Sequence, residues 1–299
     1  MSSKEILNVT KNSDNQPRFK KFKRFKRIFL DRRVVAFGLI IITLVSISAI
    51  FAPWLAPYDP YEPNLMMPLA QPSAEHLLGT DSLGRDLLSR VIFGTRASLL
   101  VGIVAISIAA TCGMTLGLIA GYIGGIVYMV IMRVIDAMMS VPMILLALTI
   151  AALLGGGLVN VMIALGIGLI PNYARLMCGQ VVSVREHDYI IAGRAMGAKN
   201  LRIMLRHIAP NCFPPILVQI SMMMGYAILA EAGLSFLGVG IEAPAAAWGA
   251  MVSTGYEYLQ TNPVLSFAPG LAIMVTVFAF NMVGDGLRDA LDPRLRGAL

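Results

Sequence analysis

Five cations, Arg185, Arg194, Lys199, Arg202 and Arg206, fall within one polar island, residues 184–211, set between long apolar runs. Their chemistry is that of recognition rather than catalysis. No Ser/His/Asp or Cys/His constellation accompanies them, and His76, His187 and His207 are too scattered for a metal site. Cys112, Cys178 and Cys212 form no CxxC pair and no disulfide framework. The chain also has no G-x-x-x-x-G-K-[ST] stretch, so it has no phosphate-cradling loop. A second polar group, Asp81, Arg85, Asp86 and Arg90, stands just before another apolar run. Glu231 is the one carboxylate inside an apolar segment, which makes it a functional candidate.

The island reads as two short helices around a small-residue turn. Tyr189, Ala192, Gly193 and Met196 recur at helical spacing, and Ala192, Gly193 and Gly197 leave a low surface that another chain could approach. Asn200 is expected to cap the second helix. Leu201, Met204, Leu205 and Ile208 form its apolar stripe, Arg202 and Arg206 lie four apart elsewhere, and Pro210 is expected to end it. Such a pair is either a docking surface or a loop folded back on its own bundle.

The elements that must hold the island are membrane spans. The chain is 57% hydrophobic and 14% charged, against about 25% charged in an ordinary soluble domain. Residues 34–58, 97–132, 137–174 and 258–284 contain no Asp, Glu, Lys or Arg, and a span needs only about 20 apolar residues. The third run is long enough for two spans, with Gly155, Gly156 and Gly157 at the turn. Six spans result: 34–53, 98–120, 138–154, 158–176, 213–234 and 265–284. The fold class is an all-α polytopic membrane protein, with a tail at 1–33 and a six-span domain at 34–299.

Charge sets the expected orientation. With both termini cytoplasmic, the outer segments hold only Arg85, Arg90 and Arg96 of the 24 Lys and Arg residues, as the positive-inside rule requires. The net charge of +7 is therefore a membrane signal rather than a nucleic-acid one. Arg18, Lys20, Lys21, Lys23, Arg24, Lys26 and Arg27, interleaved with Phe19, Phe22 and Phe25, suit anionic lipid. The first apolar stretch follows a long polar tail and is too long for a signal-peptide core, so it is expected to remain as a span. The outer loops are then 54–97 and 235–264, and 177–212 is cytoplasmic.

Along the chain, Pro57, Pro60, Pro63, Pro68 and Pro72 predict an irregular outer loop. Asp81, Arg85, Asp86 and Arg90 are expected to form a solvated, ion-paired helix leading into span two. Ala109, Gly113, Gly117 and Gly121 predict close helix packing there. Arg133 and Asp136 suit an i,i+3 ion pair, and Pro142 and Pro171 predict kinks or breaks. Met222, Met223 and Met224 read as adaptable core, and Glu231 is expected near the watery rim. Met223 and Glu231 are carried as pathway candidates.

Residues 191–210 resemble the EAA loop of permease subunits in bacterial ABC importers. Ile191 stands at its Glu position, Ala192 and Gly193 at its Ala pair, and Gly197 and Pro210 at its Gly and Pro. Ile191 and Gly193 depart from the motif, but the Gly-to-Pro spacing survives. The segment with Asp81, Gly84, Arg85, Asp86, Ser89, Arg90 and Gly94 is similar to the dipeptide/oligopeptide/nickel subfamily, as are residues 234–249 around Trp248 and 280–297 with Asp285, Arg288, Asp289 and Asp292. The resemblance implies a type I importer permease fold and a second homologous permease subunit. It also implies two ATPase subunits, which carry the ATP and Mg, and an extracytoplasmic substrate-binding protein. This chain would bind no cofactor and catalyse nothing. Tyr189, Ala192, Gly193, Arg194, Gly197, Ala198, Leu201, Leu205, Ile208 and Pro210 would then couple to the ATPases, and bulk at Gly197 is expected to uncouple transport without preventing insertion. The implied substrate is a di- or oligopeptide, with nickel chelates and glutathione as alternatives. An ion-coupled carrier is disfavoured, since Glu231 is its only ion-binding candidate.

Overall fold

The computed structural model describes residues 33–241 and 244–291. The basic cluster at 18–27, Asp292 and the end of the C-terminal segment lie outside them. The described chain folds as α1 (Arg33–Leu55), α2 (Leu87–Ile123), α3 (Gly125–Met139), α4 (Met143–Leu153), α5 (Gly157–Arg185), α6 (Asp188–Ala195), α7 (Asn200–Arg202), a π-helical turn (Ile203–Ile208), α8 (Ala209–Phe236), α9 (Trp248–Tyr256) and α10 (Val264–Leu291). Among the described residues, five helical stretches are long and apolar enough to cross a membrane, and α3 with α4 makes a sixth crossing only as a pair bent by 90°.

That bend is the break expected at Pro142, and it falls inside the span expected at 138–154. Proline disfavours helical backbone in the residue before it and donates no hydrogen bond. Pro142 itself is extended, with φ −52° and ψ 131°, at the start of α4, and Ser140 closes α3 through its backbone N–H to Asp136 and Ala137. Pro171, by contrast, lies inside α5, which runs unbroken through it to Arg185. The predicted turn between α4 and α5 is present. Gly155, Gly156 and Gly157 all take positive φ, between 70° and 92°, and Asn160 Nδ2 donates to the carbonyls of Leu154 and Gly156.

α2 and α5 form the spine of the bundle. A Cβ on Gly113 would stand 2.6 Å from Tyr173 Cβ, and one on Gly121 2.8 Å from Val181 Cβ. The small-residue stripe is thus an intramolecular seam that lets two backbones touch. The expected Arg133–Asp136 pair does not form. α5 brings Arg175 to Asp136 instead, making an ion pair between helices. α8, α9 and α10 pack together on the other side of α2, with Trp248 buried between them and its Nε1 donating to Val91 O at 2.9 Å.

Candidate functional site

At the end of the bundle remote from the Pro-rich loop, α6 and α7 lie across the ends of α2 and α5. Ile190, Ile203 and Ile208 are fully buried in one cluster with Leu118, Tyr122, Met177, Val181 and Cys212. The stripe that faces inward is therefore Ile203 and Ile208. Leu201 and Leu205 are 66% and 57% exposed, which overturns the expected Leu201–Ile208 face. Part of this shift comes from the π-turn, whose wider i→i+5 winding rotates the residues after it. The π-turn also corrects the expectation for Pro210. Rather than ending the helix, Pro210 sits in the first turn of α8, where its missing N–H costs nothing.

Asn200 is not the cap either; Lys199 occupies that position, without a side-chain bond. Asn200 Oδ1 instead accepts from Tyr122 Oη at 2.8 Å, and the Arg194 guanidinium lies 5.1 Å from the centre of the Tyr122 ring. Arg185 Nη1 donates to Gly121 O at 2.8 Å, tying the end of α5 to α2. Asn211 Nδ2 bridges Tyr189 Oη and His207 O. Partial burial, and then the neighbouring Cys212 thiol, push the Tyr189 phenol above its ordinary pKa, so it stays neutral.

The turn between the two helices is built on Gly197. Its N–H donates to Arg194 O and the Ala198 N–H donates to Gly193 O, which is the Schellman pattern of a helix C-terminus. Gly197 takes φ +81°, where a side chain is strained whatever space surrounds it. Gly193 has ordinary helical backbone, and nothing lies within 4 Å of where its Cβ would stand. Between the helices runs an open groove bordered by Tyr189, Gly193, Ala198, Arg202 and His207, with Met196 83% exposed at its edge. Rigid anchoring below and uncovered apolar and basic side chains above give this end the character of a docking face.

The other polar group lies at the opposite end, and it is not a solvated helix. Asp81, Arg85, Asp86 and Arg90 are each at least nine-tenths buried. Asp81 and Arg85 belong to a turn, with Gly84 at φ +74°, and only Arg90 lies in α2. Asp81 Oδ2 accepts from Arg85 Nε at 2.7 Å and pairs with Arg90 Nε at 3.4 Å. Asp86 caps α2 through Ser89 N at 2.8 Å, and its other oxygen meets His76 Nδ1 at 2.9 Å. Arg90 Nη1 reaches the carbonyls of Pro60 and Pro244, so this knot ties the first outer loop to the second. Sequence spacing pairs the four charges along one helix; the contributions of His76 and the proline carbonyls come from distant residues and have no local signal.

The pathway candidates separate. Met223 is partly buried against the α2–α5–α8 core. Glu231, expected to face water near the rim, is fully buried. Among the described residues no group of His, Cys, Asp and Glu could hold a metal ion.

Comparison with known proteins places this arrangement in a family. Residues 113–297 match the model of the binding-protein-dependent transport system inner membrane component. Residues 21–72 match that of the N-terminal TM domain of oligopeptide transport permease C. The chain belongs to this family of bacterial ABC importer permeases, and within it to the peptide/nickel subfamily. It is 45% identical to the dipeptide transport system permease protein DppC of Alkalihalophilus pseudofirmus over 92% of this chain and 89% of that one. Against the di/tripeptide transport system permease protein DppC of Pseudomonas aeruginosa the identity is 43%, over 92% and 93%. The nickel transport system permease protein NikC of Escherichia coli is 41% identical over 87% and 94%. An inward-facing structure of the MetNI methionine ABC transporter aligns with 69% of this chain and 98% of its own, with a TM-score of 0.57 and 19% identity. The fold is that of a type I importer permease, and the protein is a multi-pass component of the bacterial inner membrane.

Proposed function

We propose that this chain forms half of an ATP-driven translocation pathway for di- or oligopeptides. The other half is a second homologous permease, and an extracytoplasmic binding protein delivers the substrate. Two cytoplasmic ATPase subunits, which hold the ATP and Mg, dock on the α6–α7 face through the 184–211 segment. The observation that carries this reading is the pairing of buried Ile190, Ile203 and Ile208 with exposed Met196, Leu201 and Leu205. Docked ATPases would then move an element already keyed into the ends of α2 and α5. Differential binding of ATP to the closed ATPase pair supplies the bias between inward- and outward-facing packings. In this orientation both termini are cytoplasmic and the Asp81 knot faces outward. The peptide relatives favour a peptide substrate, and the nickel relative supports a nickel chelate as the second reading.

Purification from native membranes in mild detergent tests the assembly: a second six-span chain and ATPase subunits are expected to accompany this one. Gly193→Trp tests the docking face more cleanly than a change at Gly197, because it adds bulk in open space without backbone strain. Uptake is expected to fall at least about tenfold, the loss that about 1.4 kcal/mol of coupling energy represents, with membrane insertion and thermal stability unchanged. Wild-type uptake by this variant would remove the α6–α7 groove from the docking model. Competition of labelled dipeptide uptake by unlabelled peptide, and not by chelated nickel, separates the two substrates.

A further inference from the structure

The charge knot at the outer end is one carboxylate short. Among the described residues, Asp81 is the only acid paired with Arg85 and Arg90, and all three side chains are buried. Asp81 is fully spent. Its Oδ1 accepts from the Leu83 and Arg85 backbone N–H groups, and its Oδ2 meets both guanidinium Nε atoms. Asp86 is committed to His76 and to the N–H and hydroxyl of Ser89 at the start of α2. Two buried guanidinium ions therefore share one carboxylate, and a buried charge without a partner is costly.

The unspent donors lie together. Arg85 uses Nε alone, and its Nη1 and Nη2 make no hydrogen bond to the described protein. Arg90 uses Nε on Asp81 and Nη1 on the Pro60 and Pro244 carbonyls, which leaves Nη2. None of these three nitrogens is sealed from solvent. Both arginines line one cavity of about 70 Å³, whose wall also carries apolar surface from Leu87, Met251 and Leu265 and the ring of Tyr258. That is room for a carboxylate group and its hydration. The cavity opens where the first outer loop, the start of α2 and α9 meet.

We propose that this cavity binds a carboxylate, the C-terminal carboxylate of the transported peptide. A guanidinium whose Nε is committed still presents two parallel Nη–H donors, the fork that holds a carboxylate by both oxygens. One carboxylate brings Asp81, Arg85 and Arg90 to neutrality, whereas a phosphate dianion overshoots it. The apolar wall keeps the local dielectric low and so strengthens the pairing. The source of the carboxylate rests on the peptide reading above: a linear peptide ends in this group, and in that reading the knot faces the side from which substrate arrives. Arg90 also joins the Pro60 and Pro244 loops, so a carboxylate bound here is gripped where the two outer loops meet.

Thermal unfolding of the purified permease–ATPase complex, without its binding protein, tests the site. Acetate and alanylalanine are each expected to raise the unfolding temperature at saturation by about 2 °C or more, relative to chloride at equal ionic strength. Alanylalanine amide is expected to give no shift. Arg85→Met is expected to abolish both shifts while Asp81 keeps Arg90 as its partner. If Arg85→Met does not fold, Arg85→Lys keeps a cation beside Asp81 and removes the fork, and half-saturation should rise at least about tenfold. No difference between acetate and chloride would overturn the carboxylate site, as would shifts indifferent to position 85. A shift with the amide equal to that with the free acid would overturn the peptide terminus as its ligand. Uptake of labelled dipeptide separates this inference from the reading beneath it. Uptake without the shifts overturns the site and leaves the peptide reading standing; an acetate shift without uptake refutes the peptide reading, and the peptide terminus as ligand with it, but keeps the carboxylate site.

Discussion

Gly117→Leu is expected to leave the chain unable to form its bundle, with folded protein recovered from membranes reduced to a small fraction of wild type. A Cβ at position 117 would run into the carbonyl oxygen of Ala174, and would stand 2.8 Å from Met177 Cβ and 2.9 Å from Cys178 N. Two of these three atoms are backbone, so no rotamer change relieves the clash. α2 and α5 would have to separate, opening the contacts at Gly113 and Gly121 as well. Inserting one side chain into a packed core typically costs about 1–3 kcal/mol, and forcing apart the longest seam in the bundle places this case at or above the top of that range. Gly179→Leu is the control. It adds the same side chain to α5 at a position with nothing within 4 Å, and removing a mid-helix glycine there should raise stability by up to about 1 kcal/mol. Size-exclusion profiles and thermal unfolding in detergent read both. Equal behaviour of the two variants would show that the α2–α5 contact is not what holds the bundle.

The contrast between these two glycines shows where sequence reading succeeds and where it stops. Gly113, Gly117 and Gly121 announce their role because a packing seam repeats every fourth residue along one helix. The turn at Gly155–Gly157 and the Gly197 turn are legible for a similar reason, since the need for positive φ is local. What fails depends on a partner far away in the chain. Asn200 looks like a helix cap by its type and position, yet its oxygen is taken by Tyr122, which sequence spacing cannot supply. Leu201 and Leu205 fit a stripe at period 3.6, but the face that meets the ends of α2 and α5 carries Ile203 and Ile208, and Leu201 and Leu205 stay outside. Arg133 sits three residues from Asp136, and Arg175 on another helix takes the carboxylate. Glu231 shows the same limit: its position along α8 is legible, whereas its full burial is set by packing against the rest of the bundle.

Asp81→Ala is the substitution expected to cost most among the polar groups, about 3–5 kcal/mol, because it leaves buried charge uncompensated. Asp81 is the single carboxylate that both Arg85 and Arg90 contact; Asp86 is committed to the N-terminus of α2 and to His76. Its loss also frees the backbone N–H groups of Leu83 and Arg85, both of which donate to Oδ1. Arg90 would keep its bonds to the Pro60 and Pro244 carbonyls but lose its counter-charge, so the tie between the two outer loops should loosen first. Limited proteolysis within 56–86 should therefore accelerate before the spans themselves melt. The double variant Asp81→Ala/Arg85→Met distinguishes charge from mere contact. Removing the stranded guanidinium along with its partner should recover part of the lost stability, as replacement of a whole buried pair by apolar side chains often does. A double variant no more stable than Asp81→Ala would assign the effect to the Leu83 and Arg85 backbone bonds, and the knot would then be a turn held by Asp81 rather than a charge cluster balanced by it.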